Sequence, residues 1–261
     1  MHEHAMRRLE PTGDLHDGVE RAKFEIRYRP IVGVGSGRLA AVEALVRPNH
    51  PGHGLLAPGE FIELAEETGL IVPIGRPVLR EACMQLARWH ARFGAAAGEL
   101  AVSVNVSVTQ LDAEELVADV WEALTVAALL ILEITESVLM GGDGIHRKLM
   151  RLHELGVRVA VEDFGTGYSS LGYLRRHPFD ILKIDRSFID GRGASEANDE
   201  LVAGIISLAH CLELDTVAEG VERHEQAAAL ERMPAPMVQG YHWPPGRSRA
   251  DRRSARGRAP D

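Results

Sequence analysis

The alternation of short apolar segments with amphipathic segments limits the fold of this chain more than any other feature. The apolar segments have the length and residue types of β-strands, and they cover residues 24–32, 39–47, 99–107, 129–136, 157–163, 180–185, 215–220 and 236–241. Helical patterns separate most of them, for example at residues 59–69, 75–94, 198–212 and 222–233. Strands that alternate with helices favour a mostly parallel sheet.

Eight such strands in a chain of 261 residues fit a (β/α)8 barrel of the TIM type. An open, doubly wound α/β sheet is the alternative. That fold normally carries a glycine-rich phosphate-binding turn after its first strand, and the stretch RPIVGVGSGRL at residues 29–39 is a poor match to such a turn. We therefore predict the α/β class with the barrel architecture.

Polar side chains stand at the carboxyl ends of seven consecutive predicted strands, which is where barrels of this type place their active sites. They are Glu43, Asn105, Glu133, Glu136, Glu162, Asp163, Lys183, Asp185, Glu219, Glu222 and Gln239. A single acid at a strand end is usually a helix cap or a solvated charge. So many acids on one face need compensation, because the burial of unpaired charge is unfavourable.

Hard divalent cations would supply that compensation, because Mg²⁺ and Mn²⁺ prefer carboxylate and amide oxygens. His and Cys are absent from these positions, which argues against zinc. Glu162 and Asp163 are adjacent at a strand end, where the hydrogen-bonded ladder opens and both carboxylates can face the barrel mouth. Such a pair can serve two cations about 3.5–4 Å apart, as in two-metal phosphoryl chemistry. Lys183 would then orient a water or neutralise a phosphate oxygen; a salt bridge with Asp163 is the alternative.

Composition narrows the choice of partners. The formal net charge is −9 although residues 246–261 hold six arginines and two aspartates, and only 5% of residues are aromatic, which argues against nonspecific binding of DNA or RNA. The longest apolar run, residues 125–132, is too short to cross a membrane, and the polar start MHEHAMRRLE is unlike a signal peptide. Cys83 and Cys211 are interpreted as reduced thiols of a cytoplasmic protein.

Six motifs occur along the chain in a fixed order. They are EALVR (43–47), VNVS (104–107), LEITES (132–137), EDFGTGYSSLGYL (162–174), ILKIDRSF (181–188) and VAEGVE (217–222). In this order they resemble the EAL-domain cyclic di-GMP phosphodiesterases of bacteria, over roughly residues 15–243. The resemblance implies an EAL-type barrel that hydrolyses cyclic di-GMP to linear pGpG with Mg²⁺ or Mn²⁺.

The resemblance also implies a role for each matched residue. The predicted metal ligands are Glu43, Asn105, Glu133 and Glu162 for the first cation, with Asp163 for the second and Glu162 shared. The predicted catalytic residues are Lys183, which would assist the attacking water, Glu219 and Asp163. The predicted substrate contacts are Leu45, Arg47 and Glu222, and Gln239 at the last strand end is added to them. Glu136 is predicted to anchor the loop 164–172, which the resemblance links to metal binding and dimerisation, so a homodimer is a candidate assembly.

The chain departs from the family pattern at four places. Glu162 stands where the family usually has Asp, Arg29 replaces a Gln, Pro48 replaces a Trp, and the stretch HWPPG follows QGY. Glutamate moves the carboxylate by about one bond length, and a misplacement of about 1 Å can cost on the order of 10² in rate. Three functions therefore remain open: an active phosphodiesterase, a degenerate domain that serves as a cyclic di-GMP receptor or interaction module, and a different metal-dependent barrel enzyme.

The predicted domain organisation is simple. Residues 1–20 form a linker or a short leading helix, and residues 21–243 form the EAL domain. Residues 244–261 are rich in Pro, Gly, Arg and Ser, cannot bury a core, and are predicted to be a disordered basic tail.

Overall fold

The structure of the chain is a computed structural model. It describes residues 24–50, 54–55, 58–127, 129–136, 142–164, 171–190, 196–234 and 237–240. The predicted leading segment 1–20, the basic tail 244–261, the stretch HWPPG and most of the loop 164–172 lie outside the described residues.

Eight strands of the described chain close into a barrel, as the sequence predicts. With the short β3, which lies outside the barrel, the described residues form nine strands: β1 (Phe24–Gly33), β2 (Leu39–His50), β3 (Gly54–Leu55), β4 (Ala101–Asn105), β5 (Leu130–Thr135), β6 (Arg158–Phe164), β7 (Ile181–Ile184), β8 (Asp215–Ala218) and β9 (Met237–Gln239). The order around the barrel is β1-β9-β8-β7-β6-β5-β4-β2, and pairing of β1 with β2 closes it. The short β3 pairs only with the end of β2.

Strand β1 departs from a regular parallel barrel. It runs antiparallel to both of its neighbours, β2 and β9, whereas the other neighbouring barrel strands are parallel. The connection from β1 to β2 is a tight turn closed by a hydrogen bond from Gly33 N to Arg38 O, with Gly37 at φ 63°. A connection this short can join only antiparallel strands, because a parallel pair needs a crossover of a dozen or more residues.

Helices pack around the outside of the barrel. They are α1 (Pro58–Glu67), α2 (Ile71–Phe93), α3 (Val108–Asp112), α4 (Leu116–Leu124), α5 (Gly142–Glu154), α6 (Leu171–Arg176), α7 (Arg186–Asp190), α8 (Glu196–Cys211) and α9 (His224–Leu230), with a 3₁₀ turn at Gly94–Ala96. Helix α2 starts before the predicted residue 75 and continues through Pro77. No helix in the described ranges is both long enough and apolar enough to span a membrane.

Two apolar cores hold the domain together. The larger one fills the space between the barrel and its helices and includes Leu86 of α2 and Val102 of β4. The smaller one lies inside the barrel and takes one residue from each barrel strand: Ile31, Ala41, Ala101, Ile131, Ala160, Ile181, Val217 and Met237. Because side chains alternate along a strand, the residues two positions further along these strands also point into the barrel, nearer the carboxyl ends of the parallel strands.

Candidate active site

Three glutamates meet inside the barrel, just above the small interior core. Glu43 of β2, Glu133 of β5 and Glu162 of β6 each offer a carboxylate oxygen, and these oxygens all lie within 4.8 Å of one another. We call these three residues the acidic cluster. Glu43 and Glu133 are only 6% and 2% exposed, so their carboxylates are largely shielded from water and repel each other strongly.

Two side-chain amides hold Glu43 in place. Asn105 Nδ2 donates to Glu43 Oε1 at 2.9 Å, and Gln239 Nε2 donates to Glu43 Oε2 at 2.7 Å. Asn105 ends β4, and Ser107 begins helix α3 directly afterwards with a capping box formed with Gln110. This cap fixes the end of the strand. Since Asn105 uses its NH₂ group on Glu43, its Oδ1 is left as an oxygen donor for a cation.

Lys183 of β7 is the cation at the centre of the site. Its Nζ lies 2.8 Å from Glu133 Oε2 and 2.7 Å from Glu219 Oε1, and it also donates to Glu162 Oε1. The side chain is 1% exposed. Burial by itself lowers the pKa of Lys183, but the glutamates around it outweigh burial, and the net pKa lies well above the ordinary value. Lys183 is therefore charged at neutral pH.

Two of the glutamates that contact Lys183, Glu133 and Glu219, bind protons more tightly than free carboxylates. Burial raises the pKa of Glu133 well above its usual range; Lys183 opposes this shift, and Glu162 and Glu43 add to it. Burial also raises the pKa of Glu219, again against the effect of Lys183. Lys183 therefore balances only part of the negative charge of the surrounding carboxylates, and a further cation would be favourable at this site.

A β-bulge explains how two adjacent acids serve one site. The pairing of β6 with β7 shifts between Val161 and Phe164, which leaves one extra residue on β6. Asp163 occupies this irregularity with φ 57°, in the left-handed region that Asp tolerates better than most residues. The bulge breaks the alternation of side chains, so Glu162 and Asp163 need not point to opposite faces. Burial raises the pKa of Asp163, as do the nearby Glu162 and Asp185.

The predicted substrate contacts follow Glu43 along β2. Leu45 and Arg47 lie two and four positions beyond it, so they share its face, and both are partly buried near the barrel mouth. Arg29 of β1, one of the departures from the family pattern, lies directly opposite Glu43 in the β1–β2 ladder. Its guanidinium therefore adds positive charge on the side of the barrel that carries the acidic cluster.

The remaining predicted residues lie around this centre. Glu136 follows β5 and is close enough to Asp163 to raise its pKa; its role as an anchor of the loop 164–172 stays a prediction, because most of that loop is outside the described residues. Glu222 is exposed and pairs with Arg186 at 3.1 Å. Gln239 is 1% exposed and contacts Glu43, so the structure gives it a supporting position, and a contact with substrate stays a prediction.

Sequence reasoning missed two partners and one buried hydroxyl. It did not predict that Gln239 holds Glu43 or that Arg186 holds Glu222. Ser103 of β4 is fully buried opposite Glu43, and its Oγ has no hydrogen-bond partner among the described residues. The alternation in AVSVN, which places Ser103 on the face of Asn105, was the available signal for this hydroxyl. Asp185 accepts a hydrogen bond from Ser187 N, the ordinary role of a capping acid.

The residues present fit a hard divalent cation. The acidic cluster offers three convergent carboxylates, Asn105 adds an amide oxygen, and Asp163 stands beside Glu162. This donor set is all oxygen and anionic, as Mg²⁺ and Mn²⁺ prefer. The carboxylates with raised pKa values show where added positive charge would be most favourable.

The fold and this site define an α/β barrel protein with an oxygen-rich acidic centre at the carboxyl ends of its strands. Residues 12–245 match the EAL domain family, and the chain belongs to that family. Among curated proteins of Pseudomonas aeruginosa, it is 43% identical over 242 residues to the cyclic di-GMP phosphodiesterase NbdA and 41% identical over 250 residues to the bifunctional diguanylate cyclase/cyclic di-GMP phosphodiesterase MucR. The match to NbdA covers 91% of this chain and 30% of NbdA, and the match to MucR covers 92% of this chain and 36% of MucR. The chain therefore spans about a third of the length of each relative.

Solved structures agree with this assignment. The PaMucR phosphodiesterase in complex with c-di-GMP is 41% identical, with a TM-score of 0.83 over 92% of this chain and 97% of that one. The EAL enzyme Bd1971, in its form bound to cAMP and cyclic di-GMP, is 31% identical, with a TM-score of 0.85 over 91% of this chain and 66% of that one.

Proposed function

We propose that this domain hydrolyses cyclic di-GMP to linear pGpG with the help of two divalent cations, Mg²⁺ or Mn²⁺. The observation that carries the proposal is the convergence of Glu43, Glu133 and Glu162 around Lys183 at the barrel mouth. Support comes from NbdA and MucR, whose names give this phosphodiesterase activity.

In this proposal the chain provides ligands for both cations. Glu43, Asn105, Glu133 and Glu162 would hold the first cation, and Asp163 with Glu162 would hold the second. When bound, such cations polarise the scissile phosphodiester and lower the pKa of a water molecule. Gln239 and Asn105 keep the Glu43 carboxylate oriented, which is the preorganisation that a metal ligand needs.

Lys183 and Glu219 would have different roles toward the attacking water: Lys183 would orient it, and Glu219 would accept its proton. Lys183 is held charged by its glutamates, so it donates hydrogen bonds and suits the orientation of an anion or a water oxygen. Glu219 lies against Lys183, and burial raises its pKa above the ordinary value of a glutamate. A carboxylate of that kind is suited to accept the proton of the water. Leu45, Arg47 and Glu222 would contact the dinucleotide at the mouth.

A second candidate function is that of a cyclic di-GMP receptor without turnover. The observation that favours it is the contact of Glu162 with Lys183, because the longer side chain in place of Asp commits one of its oxygens to the lysine. A receptor would bind the nucleotide through the mouth residues and leave it intact.

The deciding experiment is incubation of purified protein with cyclic di-GMP in Mg²⁺, in Mn²⁺ and in EDTA, with nucleotides resolved by chromatography. We expect pGpG in the metal samples and none in EDTA. Intact nucleotide in all three samples, together with binding measured by calorimetry, would establish the receptor instead. The matched control is Arg88→Met, an exposed helix position whose ion pair with Glu81 is remote from the site.

A further inference from the structure

Two ion pairs of the same kind follow each other where β7 and β8 end. Lys183 contacts Glu219 at 2.7 Å, and Arg186 contacts Glu222 at 3.1 Å. In both segments the second residue comes three positions after the first. The side chains of Lys183 and Glu219 are 1% and 22% exposed, whereas those of Arg186 and Glu222 are 54% and 35% exposed. The inner pair belongs to the proposed chemistry, and the outer pair is in contact with solvent at the mouth.

Gly220 lets the side chain of Arg186 cross the end of β8. Gly220 has φ 67°, in the left-handed region that favours glycine. A Cβ at this position would lie 2.5 Å from Arg186 Cγ and 2.9 Å from Arg186 Cβ. Any other residue would therefore push the stem of Arg186 away. The arginine reaches Glu222 over a residue that has no side chain.

Two acids hold the guanidinium of Arg186 by different nitrogens. Nε lies 3.3 Å and 3.2 Å from the two carboxylate oxygens of Asp190, and Nη1 lies 3.1 Å from Glu222 Oε1. The guanidinium is planar and its N–H groups point in fixed directions. Because Asp190 occupies Nε, the orientation of the group is defined, and Nη1 is directed toward Glu222.

The backbone that carries Glu222 is fixed as well. Gln226 is 1% exposed, and its Oε1 accepts hydrogen bonds from the backbone N–H groups of Glu222 and Arg223 at 2.9 Å and 2.8 Å. Its Nε2 donates to Ile189 O at 3.1 Å, in the same helix α7 that begins with Arg186. One buried glutamine thus ties the helix that carries the cation to the segment that carries the acid.

The carboxylate of Glu222 keeps acceptor capacity for a ligand. Oε1 is engaged by Arg186, while Oε2 makes no hydrogen bond or ion pair with any residue in the described ranges. A carboxylate oxygen has two lone pairs, so Oε1 can accept a second hydrogen bond. The Watson–Crick edge of guanine presents two adjacent donors, N1–H and N2–H₂, which match the two oxygens of one carboxylate. Adenine has an acceptor at N1 and hypoxanthine lacks the 2-amino group, so neither base offers this pair of donors.

We propose that Arg186 is a positioning residue that makes the mouth selective for guanine, by holding the carboxylate of Glu222 in the plane of the base edge. The inference rests on the proposed function, in which Glu222 contacts the dinucleotide. Arg186 acts through Glu222 and not by contact with the nucleotide. A site built to hydrogen-bond a ligand group discriminates against an analogue that lacks it. A carboxylate that rotates freely would lose part of this discrimination, because its ordering on binding is unfavourable.

The test is calorimetric titration of the full chain with cyclic di-GMP and with cyclic di-IMP, whose bases are hypoxanthine, in EDTA to prevent hydrolysis. The ratio of the two dissociation constants measures selectivity for the 2-amino group. In the parent chain, cyclic di-IMP should bind at least about tenfold more weakly, the effect of one hydrogen bond to a charged acceptor. In Arg186→Ala this ratio should fall about two- to fivefold, the range of one exposed charge contact, because mainly the affinity for cyclic di-GMP falls.

Two further variants sharpen the comparison. Arg186→Lys should give an intermediate ratio, because an ammonium group keeps the charge but lacks the planar fork that contacts Asp190 and Glu222 together. Arg88→Met removes an exposed ion pair elsewhere and should leave the ratio unchanged. If Arg186→Ala does not fold, Arg186→Lys decides the test.

An unchanged ratio in the Arg186 variants, or an equal loss of affinity for both nucleotides, would overturn this inference and leave the proposed function in place. Absence of cyclic di-GMP binding to the parent in EDTA would also overturn it, since the mouth would then not recognise the base by itself. Formation of pGpG in Mg²⁺ or Mn²⁺ would still decide the proposed function in that case.

Discussion

Replacement of Lys183 tests most directly whether its charge stabilises the buried glutamates of the site. Lys183→Met keeps the length of the side chain but leaves Glu133, Glu162 and Glu219 without the cation that all three contact. Loss of one partner from a buried ion pair costs about 3–5 kcal/mol, because the other partner remains buried and charged. At about 2–4 °C per kcal/mol for a domain of 150–250 residues, the unfolding temperature in EDTA should fall by about 6–20 °C.

The loss of stability in Lys183→Met should grow as the pH rises. Burial already raises the pKa of Glu133, with Lys183 opposing the shift, so removal of Lys183 raises it further. A carboxyl whose pKa is higher in the folded than in the unfolded state makes stability fall as pH rises from the unfolded value through the folded one. The deficit of the variant should therefore be larger at pH 8 than at pH 5.

Divalent metal should repair part of the deficit. A cation bound only by the folded protein at one hundred times its dissociation constant stabilises it by about 2.7 kcal/mol, and the variant has more uncompensated charge than the parent. Thermal melts in EDTA and in millimolar Mn²⁺ measure both effects, with Arg88→Met as the control for an exposed ion pair. If the unfolding temperature of Lys183→Met in EDTA lies within about 2 °C of the parent, Lys183 does not stabilise the buried glutamates, since removal of one partner from a buried ion pair should be strongly destabilising.

Three further predictions concern single residues. Glu43→Ala should lower hydrolysis by more than about 100-fold, given that a 1 Å misplacement alone can cost about 10², while the circular dichroism spectrum is retained; steady-state assays check this, and full activity would remove Glu43 from the mechanism. Glu162→Asp should raise the rate of hydrolysis and change cyclic di-GMP affinity less, because the shorter side chain restores the usual ligand length; a clear loss of rate at unchanged affinity would show that the site is built for glutamate. Cys211 is exposed and should react with Ellman's reagent in the native protein. Cys83 is buried, and burial raises the pKa of its thiol to about 11, so Cys83 should react only on unfolding. Rapid reaction of two thiols per chain under native conditions would contradict the burial of Cys83. Because the folded protein holds the Cys83 proton more tightly than the unfolded chain does, the contribution of Cys83 to stability is lost as the pH rises from about 9 to about 11.

Local patterns predicted the strands and the acids at their ends because period and residue type are properties of short segments. The position of Glu133 at the end of an apolar run and of Lys183 in ILKID needed no knowledge of the rest of the chain. Their contact with each other did need it, because it depends on how far β5, β6 and β7 are staggered against one another. The sequence could place both side chains at one edge of the sheet but could not predict their 2.8 Å contact.

Features that arise from closure of the barrel were beyond local reasoning. Gln239 reaches Glu43 across 196 residues of sequence because β1 joins β2 and β9 into a ring. The reversal of β1 follows from its tight turn to β2, which the prediction of a mostly parallel sheet did not use. The bulge at Asp163 is a mismatch between two strands, so neither strand alone reveals it.

The reversed direction of β1 determines how a mechanical displacement would reach the site. In an all-parallel barrel the first strand begins at the face opposite the active site. Here β1 begins at Phe24, which pairs with Pro48 at the mouth, and continues inward to Arg29 opposite Glu43. A pull on the backbone at Phe24 therefore passes along one extended strand to the partner of a proposed metal ligand. Because such coupling is reciprocal, a pull that weakened binding at the site would in turn be opposed by a ligand bound there.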